Sequence, residues 1–116
     1  MEVNAFRAAV GSEFDFFGVD NLHYKLDDKV WLAVEDESDG YRSYLGSIEE
    51  TSHSDLIFPA VPFARVRVKE YDRPSQEGFE LVDVADGHVW LRVGTDNTDD
   101  YYPSFVFEYS AKMPVP

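Results

Sequence analysis

The feature that most constrains this chain is a side-chain alternation of period two, met several times and each time bounded by a turn signal. In Ala64–Tyr71, Ala64, Val66 and Val68 alternate with Arg65, Arg67 and Lys69. That spacing puts one apolar and one basic face on an extended segment, as in a half-buried strand of an antiparallel sheet. The strongest such element is Phe79–Gly94. With Asp86-Gly87 as a two-residue type I′ loop, Ala85 is expected opposite His88, Val84 opposite Val89, Asp83 opposite Trp90, Val82 opposite Leu91 and Leu81 opposite Arg92. Val82, Val84, Val89, Leu91 and Val93 would then form the core face, with Leu81, Asp83, His88, Trp90 and Arg92 on the other. A one-residue slip would exchange the faces, and the valine-rich face argues against a slip.

Other segments follow the same rule. His23–Glu35 forms a hairpin about Asp27-Asp28, with Val30, Leu32 and Val34 on one strand face and Trp31, Ala33 and Glu35 on the other. The loop from Glu35 ends in the turn signal Asp39-Gly40, and a weaker strand, Tyr41–Ile48, returns from it. Gly46 inside that strand suggests a bulge. Phe14 and Phe16 flank Asp15 in a short strand, and Ser104–Ser110 places Phe105, Phe107 and Tyr109 on one face. Val3, Phe6, Arg7 and Val10, with Ala5, Ala8 and Ala9, predict at most one short N-terminal helix over residues 3–10. Leu56–Phe63 is an apolar connection stiffened by Pro59 and Pro62. The expected fold is mainly β, an antiparallel small barrel or sandwich of about six to seven strands, because so many apolar faces need a covering layer. At 116 residues the chain is expected to form a single acidic β-rich domain over residues 1–116.

Charge limits the partners. There are 23 acidic and 10 basic side chains, a formal net charge of -13. A surface of this sign repels phosphates, so direct nucleic-acid binding is not expected. Anionic membranes would be repelled as well, whereas a basic protein surface would be attracted. There is no cysteine, so no disulfide and no thiolate chemistry, which fits a reducing, cytoplasmic setting. Met1–Gly11 lacks a basic stretch followed by an apolar one, so no signal peptide is expected. The longest apolar run, Leu56–Ala64, is too short to cross a bilayer.

Two acidic loops are the candidate sites. The first holds Glu35, Asp36, Glu37 and Asp39. With Gly40 it imitates the opening of a calcium-binding EF-hand loop, but Gly46 stands where the closing carboxylate is needed. The second holds Asp96, Asn97, Asp99 and Asp100 beside Tyr101 and Tyr102. Asp and Asn are ordinary turn formers, so neither loop by itself specifies a metal, and whether one binds stays open. His23, His53 and His88 lack the local spacing of a metal site. Ser52-His53-Ser54-Asp55 has the residue types of a hydrolytic triad, whose members normally come from separate segments. No phosphate-binding or dinucleotide fingerprint is present, and no cofactor is expected. The basic row Arg65, Arg67 and Lys69 is expected to pair with carboxylates of neighbouring strands such as Glu80 or Asp83. Among Trp31, Tyr41, Tyr44, Trp90, Tyr101 and Tyr102, any exposed cluster would suit a binding hot spot.

Val34–Leu45, with its Glu-Asp-Glu-Ser-Asp-Gly loop, and Asp86–Asn97, running on through Tyr101 to Phe107, resemble small hypothetical proteins of phages and related bacterial genomes. The resemblance implies no activity, cofactor or catalytic residue. By analogy with small acidic phage proteins, it raises the expectation of an inhibitor of a host system.

These readings lead first to a non-enzymatic interaction protein, a nucleic-acid mimic or inhibitor. Glu35, Asp36, Glu37, Asp39, Asp96, Asp99, Asp100 and Tyr101 would meet its basic partner. Two alternatives stand beside it: a divalent-cation or small-ligand domain using the same loops, and an enzyme whose site assembles only in the fold. Unpaired edge strands leave a homodimer open.

Overall fold

A computed structural model describes residues 7–17, 23–27, 29–36, 44–51, 64–98 and 102–110. They form eight strands: β1 (Glu13–Phe16), β2 (His23–Leu26), β3 (Lys29–Asp36), β4 (Tyr44–Thr51), β5 (Ala64–Arg73), β6 (Gln76–Asp83), β7 (Val89–Asp96) and β8 (Ser104–Tyr109). All pair antiparallel in a single sheet of order β4-β3-β2-β1-β5-β6-β7-β8. The mainly β, antiparallel expectation therefore holds, with eight strands in place of six or seven. The sheet is not closed into a barrel: β4 and β8 are its edges. It curls so that β4 lies against β7 and β8, and one continuous face covers itself.

That inner face is built by the expected alternation. Val66 and Val68 are fully buried, while Arg65, Arg67 and Lys69 are exposed. Phe16, Tyr24, Leu26, Trp31, Ala33 and Ile48 complete the core from β1 to β4, and Phe79, Leu81, Leu91 and Val93 from β6 and β7. Phe105 and Phe107 pack on it from β8. Leu26 pairs with Lys29 across the turn between β2 and β3, and Asp27 takes the positive φ of 54° expected of such a turn. The bulge expected at Gly46 is there: Val34 pairs with Ser47 and Glu35 with Leu45, which leaves Gly46 as the extra residue. Arg7–Gly11 form a turn, closed by Val10 N–H to the Arg7 carbonyl and Ser12 N–H to the Ala9 carbonyl. Of the short helix expected over residues 3–10, residues 3–6 lie outside the described residues.

The register of the β6–β7 hairpin differs from expectation by one residue. Leu81 faces Leu91, Phe79 faces Val93 and Glu80 faces Arg92. Leu81 and Asp83 are buried, whereas Val82 is half-buried and Val84 is 44% exposed. Two causes combine. Asp83 and Asp86 bond their own turn: Asp83 Oδ1 accepts Ala85 N–H at 2.8 Å, and Asp86 Oδ1 accepts His88 N–H at 2.9 Å. The connection therefore spans residues 84–87 instead of two. Trp90 then forms a one-residue bulge, since Val82 pairs with Val89 and Leu81 with Leu91. The bulge turns Trp90 inward beside Leu91, and its indole N–H donates to buried Asp83 Oδ2 at 3.1 Å. Phe79, Leu81 and Trp90 bury more apolar area than a valine face would.

The outer face carries one packed spot. Gly78 and Gly94 are directly opposed, and the ring of Tyr71, opposite Gly78 on β5, covers them. A Cβ at Gly94 would overlap the Glu77 carbonyl and crowd the Tyr71 hydroxyl. Arg92 lies 5.4 Å from the Tyr71 ring centroid and binds Glu80 through Nε at 3.0 Å and Nη2 at 2.8 Å. Burial raises the Tyr71 hydroxyl above the usual tyrosine pKa, against the opposing pull of Arg92. That hydroxyl has no partner among the described residues. Gly94→Ala is expected to destabilise the protein by roughly 1–3 kcal/mol or more, the usual cost of overpacking. Tyr71→Phe should change stability by less than about 1 kcal/mol, because no hydrogen bond among the described residues is lost. Urea denaturation of the two variants measures both.

Candidate functional site

The two acidic loops leave the sheet at the same end. Glu35 and Asp36 close β3 opposite Leu45 and Tyr44, which open β4. Asp96 closes β7 opposite Ser104, which opens β8. The curl of the sheet brings these stems together, and Leu45 N–H donates to Thr95 Oγ1 at 2.7 Å. Of the residues singled out in the sequence, Glu35, Asp36 and Asp96 therefore stand at one end of the molecule. Glu37, Asp39, Asp99, Asp100 and Tyr101 lie outside the described residues, as does the rest of the EF-hand-like loop.

The β5–β6 hairpin reaches the same end, where Asn97 N–H donates to the Ser75 carbonyl at 2.5 Å. It adds three carboxylates that the sequence analysis did not select: Glu70, Asp72 and Glu77. Asp72 and Glu77 are directly opposed across the hairpin. Glu70 and Asp72 continue the face of Val66 and Val68 past the core, and that continuing alternation was the signal available in the sequence. A cleft of about 80 Å³ opens here, lined by Leu45, Phe79, Thr95, Asp72, Glu77 and an Arg7–Glu70 ion pair of 3.5 Å.

Asp96 holds its loop. Its Oδ1 accepts the Thr98 hydroxyl at 2.5 Å and the Thr98 N–H at 2.8 Å, and its Oδ2 accepts the Gln76 amide at 3.1 Å. The Thr98 hydroxyl is the main cause of a pKa below the usual aspartate value, followed by the Thr98 N–H, with Gln76 adding to it. Asp96 is thus a charged turn former whose carboxylate stays ionised.

Arg65 and Arg67 of the basic row pair with carboxylates of a neighbouring strand, as expected, but not with Glu80 or Asp83. Arg65 and Arg67 meet carboxylates of β1, not of β6: Arg67 to Glu13 at 2.8 Å, and Arg65 to Asp15 at 3.0 Å and to Asp27 of the adjoining turn at 3.7 Å. The reason is the topology, which places β1 beside β5. Glu80 serves Arg92, and Asp83 faces inward to Trp90. The Arg67 hydrogen bond is the main cause of a lowered pKa at Glu13. These pairs are about half exposed, so each adds little stability alone.

The remaining candidates disperse. His23 lies on β2, and His88, before β7, approaches the Ser110 carbonyl at 2.5 Å and meets Trp90 edge-on. His53, with Ser52, Ser54 and Asp55, is outside the described residues. Among the described residues, no three histidines or carboxylates group so as to hold a metal ion, and no helix is long and apolar enough to cross a membrane. Trp31 and Trp90 belong to the core, and Tyr102 is exposed. Tyr41 and Tyr101 fall outside the described residues.

The chain matches no family model, no curated protein and no solved structure.

A carboxyl with a lowered folded-state pKa contributes stability above its unfolded pKa and loses it as pH falls through the folded value. Asp96→Asn should therefore lower the melting temperature at neutral pH. Its effect should vanish well below the ordinary aspartate value of about 4, where the native carboxyl is itself protonated. Thermal unfolding of both proteins across that range tests the assignment.

Proposed function

We propose that this chain is a non-enzymatic interaction protein whose acidic end docks on a basic protein surface. The observation that carries the reading is the Leu45–Thr95 hydrogen bond, which fastens the stems of the two acidic loops to each other. The stems that carry Glu35, Asp36 and Asp96 thus stand side by side.

The distribution of ion pairs supports the same reading. Arg7, Lys29, Arg65, Arg67 and Arg92 are engaged with carboxylates inside the fold. Glu35, Asp72 and Glu77 have no ion pair among the described residues. These three carboxylates stand at the end where the loops leave, beside one cation, Arg73, that likewise has no ion pair among the described residues. Such a field attracts basic partners and steers their approach. The partner that suits it best is a cytoplasmic protein whose basic groove normally holds nucleic acid, with this chain as the mimic. The resemblance of the two loop-bearing stretches to small phage proteins fits an inhibitor of that kind. A direct nucleic-acid or membrane partner does not suit a net charge of -13.

Capture of basic nucleic-acid-binding proteins from a lysate should succeed at low salt, fail at high salt, and be reversed by competing DNA. Glu35→Gln combined with Glu37→Gln and Asp39→Asn should weaken it by about tenfold or more, the equivalent of about 1.4 kcal/mol. Binding indifferent to salt and to these variants overturns the proposal.

A further inference from the structure

The edge of a sheet is a row of backbone N–H and C=O groups ready to pair with another strand, and proteins blunt it with bulges, charges or proline. The two edges here differ in this respect. β4 is blunted: it carries the Gly46 bulge and the exposed Glu49 and Glu50, and its Leu45 N–H is taken by Thr95 Oγ1. β8 has none of these devices. Ser104–Tyr109 contains no proline, lysine or bulge, and it pairs with β7 in one register from Leu91–Tyr109 to Asp96–Ser104. Ser110 N–H donates to the Trp90 carbonyl at 2.9 Å, which fixes the phase of that ladder. Val106 and Glu108 therefore bond to β7, while Phe105, Phe107 and Tyr109 turn their N–H and C=O groups away from it. No hydrogen bond among the described residues takes those outward groups up. The rings of Phe105 and Phe107 are only partly buried, and Tyr109 is 40% exposed.

We propose that β8 pairs antiparallel with β8 of a second copy of the chain, about a twofold axis at Phe107. Outward groups must meet outward groups, and full overlap of the strand then sets Phe107 opposite Phe107 of the second copy. Phe105 falls opposite Tyr109 on either side, so one face gains a row of aromatic cross-strand pairs. On the other face Glu108 meets Val106 of the second copy, not its Glu108, and Arg92 of the same chain stays 3.7 Å from it. The arrangement also answers the net charge of -13. The acidic end adjoins Ser104, opposite Asp96, and antiparallel pairing holds the two acidic ends at opposite ends of the joined strands. Pairing Ser104 with Ser110 of the second copy separates them by roughly 20 Å, at about 3.4 Å per residue. That exceeds the Debye length of about 8 Å at physiological salt. A second copy thus fits this edge in backbone, side chains and charge, through an isologous contact that leaves both acidic ends open.

Sedimentation equilibrium of the full chain at physiological salt, from micromolar to millimolar concentration, should show a reversible monomer–dimer equilibrium. The register makes a signed prediction. Val106→Glu sets a second carboxylate opposite Glu108 and should weaken the dimer by about tenfold, because the twofold axis repeats the pair. Val106→Lys sets an ammonium there and should strengthen the dimer several-fold. Val106→Glu combined with Glu108→Lys should recover the association that Val106→Glu alone loses. Melting curves of dilute samples show that each variant folds. Amide hydrogen exchange at Phe105, Phe107 and Tyr109 should slow as concentration rises, while that at Ile48 and Glu49 of β4 should not change. A monomer across the whole range, a dimer indifferent to the sign of the charge at position 106, or protection that grows at β4 instead of β8 overturns the inference. The acidic end plays no part in this contact, so neither proposal falls with the other.

Discussion

An antiparallel sheet with a single apolar face cannot leave that face in water, and here nearly every other feature follows from the way the sheet covers it. The face runs unbroken from Ile48 on β4 to Phe107 on β8, and the sheet bends until its two edges approach. The bend uses local devices at named places: the bulge at Gly46, the bulge at Trp90, and the Gly78–Gly94 approach under Tyr71. Each lets the backbone turn more sharply than regular pairing allows. Because the bend brings β4 onto β7, it also creates the acidic end. The acidic end is a by-product of core burial, shaped partly by glycines and aromatics, among them Trp90, whose indole N–H donates to Asp83.

Charge is handled on two levels. On the convex side, Arg65, Arg67 and Arg92 are matched to acids on adjacent strands, so their fields largely cancel at short range. At the loop end no such matching is seen among Glu35, Asp72 and Glu77. The chain thus tolerates self-repulsion at the turn end of the β5–β6 hairpin, where Asp72 and Glu77 are opposed, and offsets charge farther along the sheet. The field outside the molecule is then directional instead of uniform.

How far the sequence could be read depended on range. The Asp27 turn, the Gly46 bulge and the alternation of Val66 and Val68 with Arg65 and Arg67 were legible, because each is decided by neighbours within a few residues. The β6–β7 register was not. A two-residue loop was the natural inference from Asp86-Gly87, yet Asp83 and Asp86 bond the loop internally and Trp90 bulges inward to reach Asp83. Both effects depend on side-chain hydrogen bonds that a hydrophobic pattern does not contain. For the site, Glu35, Asp36 and Asp96 could be named from their loops, but not brought together. Their proximity comes from the curl, through a bond between residues fifty positions apart. Asp72 and Glu77 went unnoticed because they lie within strands, where acids read as solvated face.

The strand order has a kinetic meaning of its own. β2, β3 and β4 form one meander, and β5, β6, β7 and β8 form another. Each is stitched from neighbours in the chain, so its loops are short and inexpensive to close. The two meanders are joined through β1, four residues long, which pairs with β2 on one side and with β5 on the other. Its contact with β5 spans some fifty residues, from Asp15 to Arg65. Loop-closure entropy therefore falls mainly on this seam. The ion pairs of Arg65 and Arg67 with Glu13 and Asp15 bridge that same seam. Weak as each is, together they oppose the separation of two halves that could otherwise assemble independently.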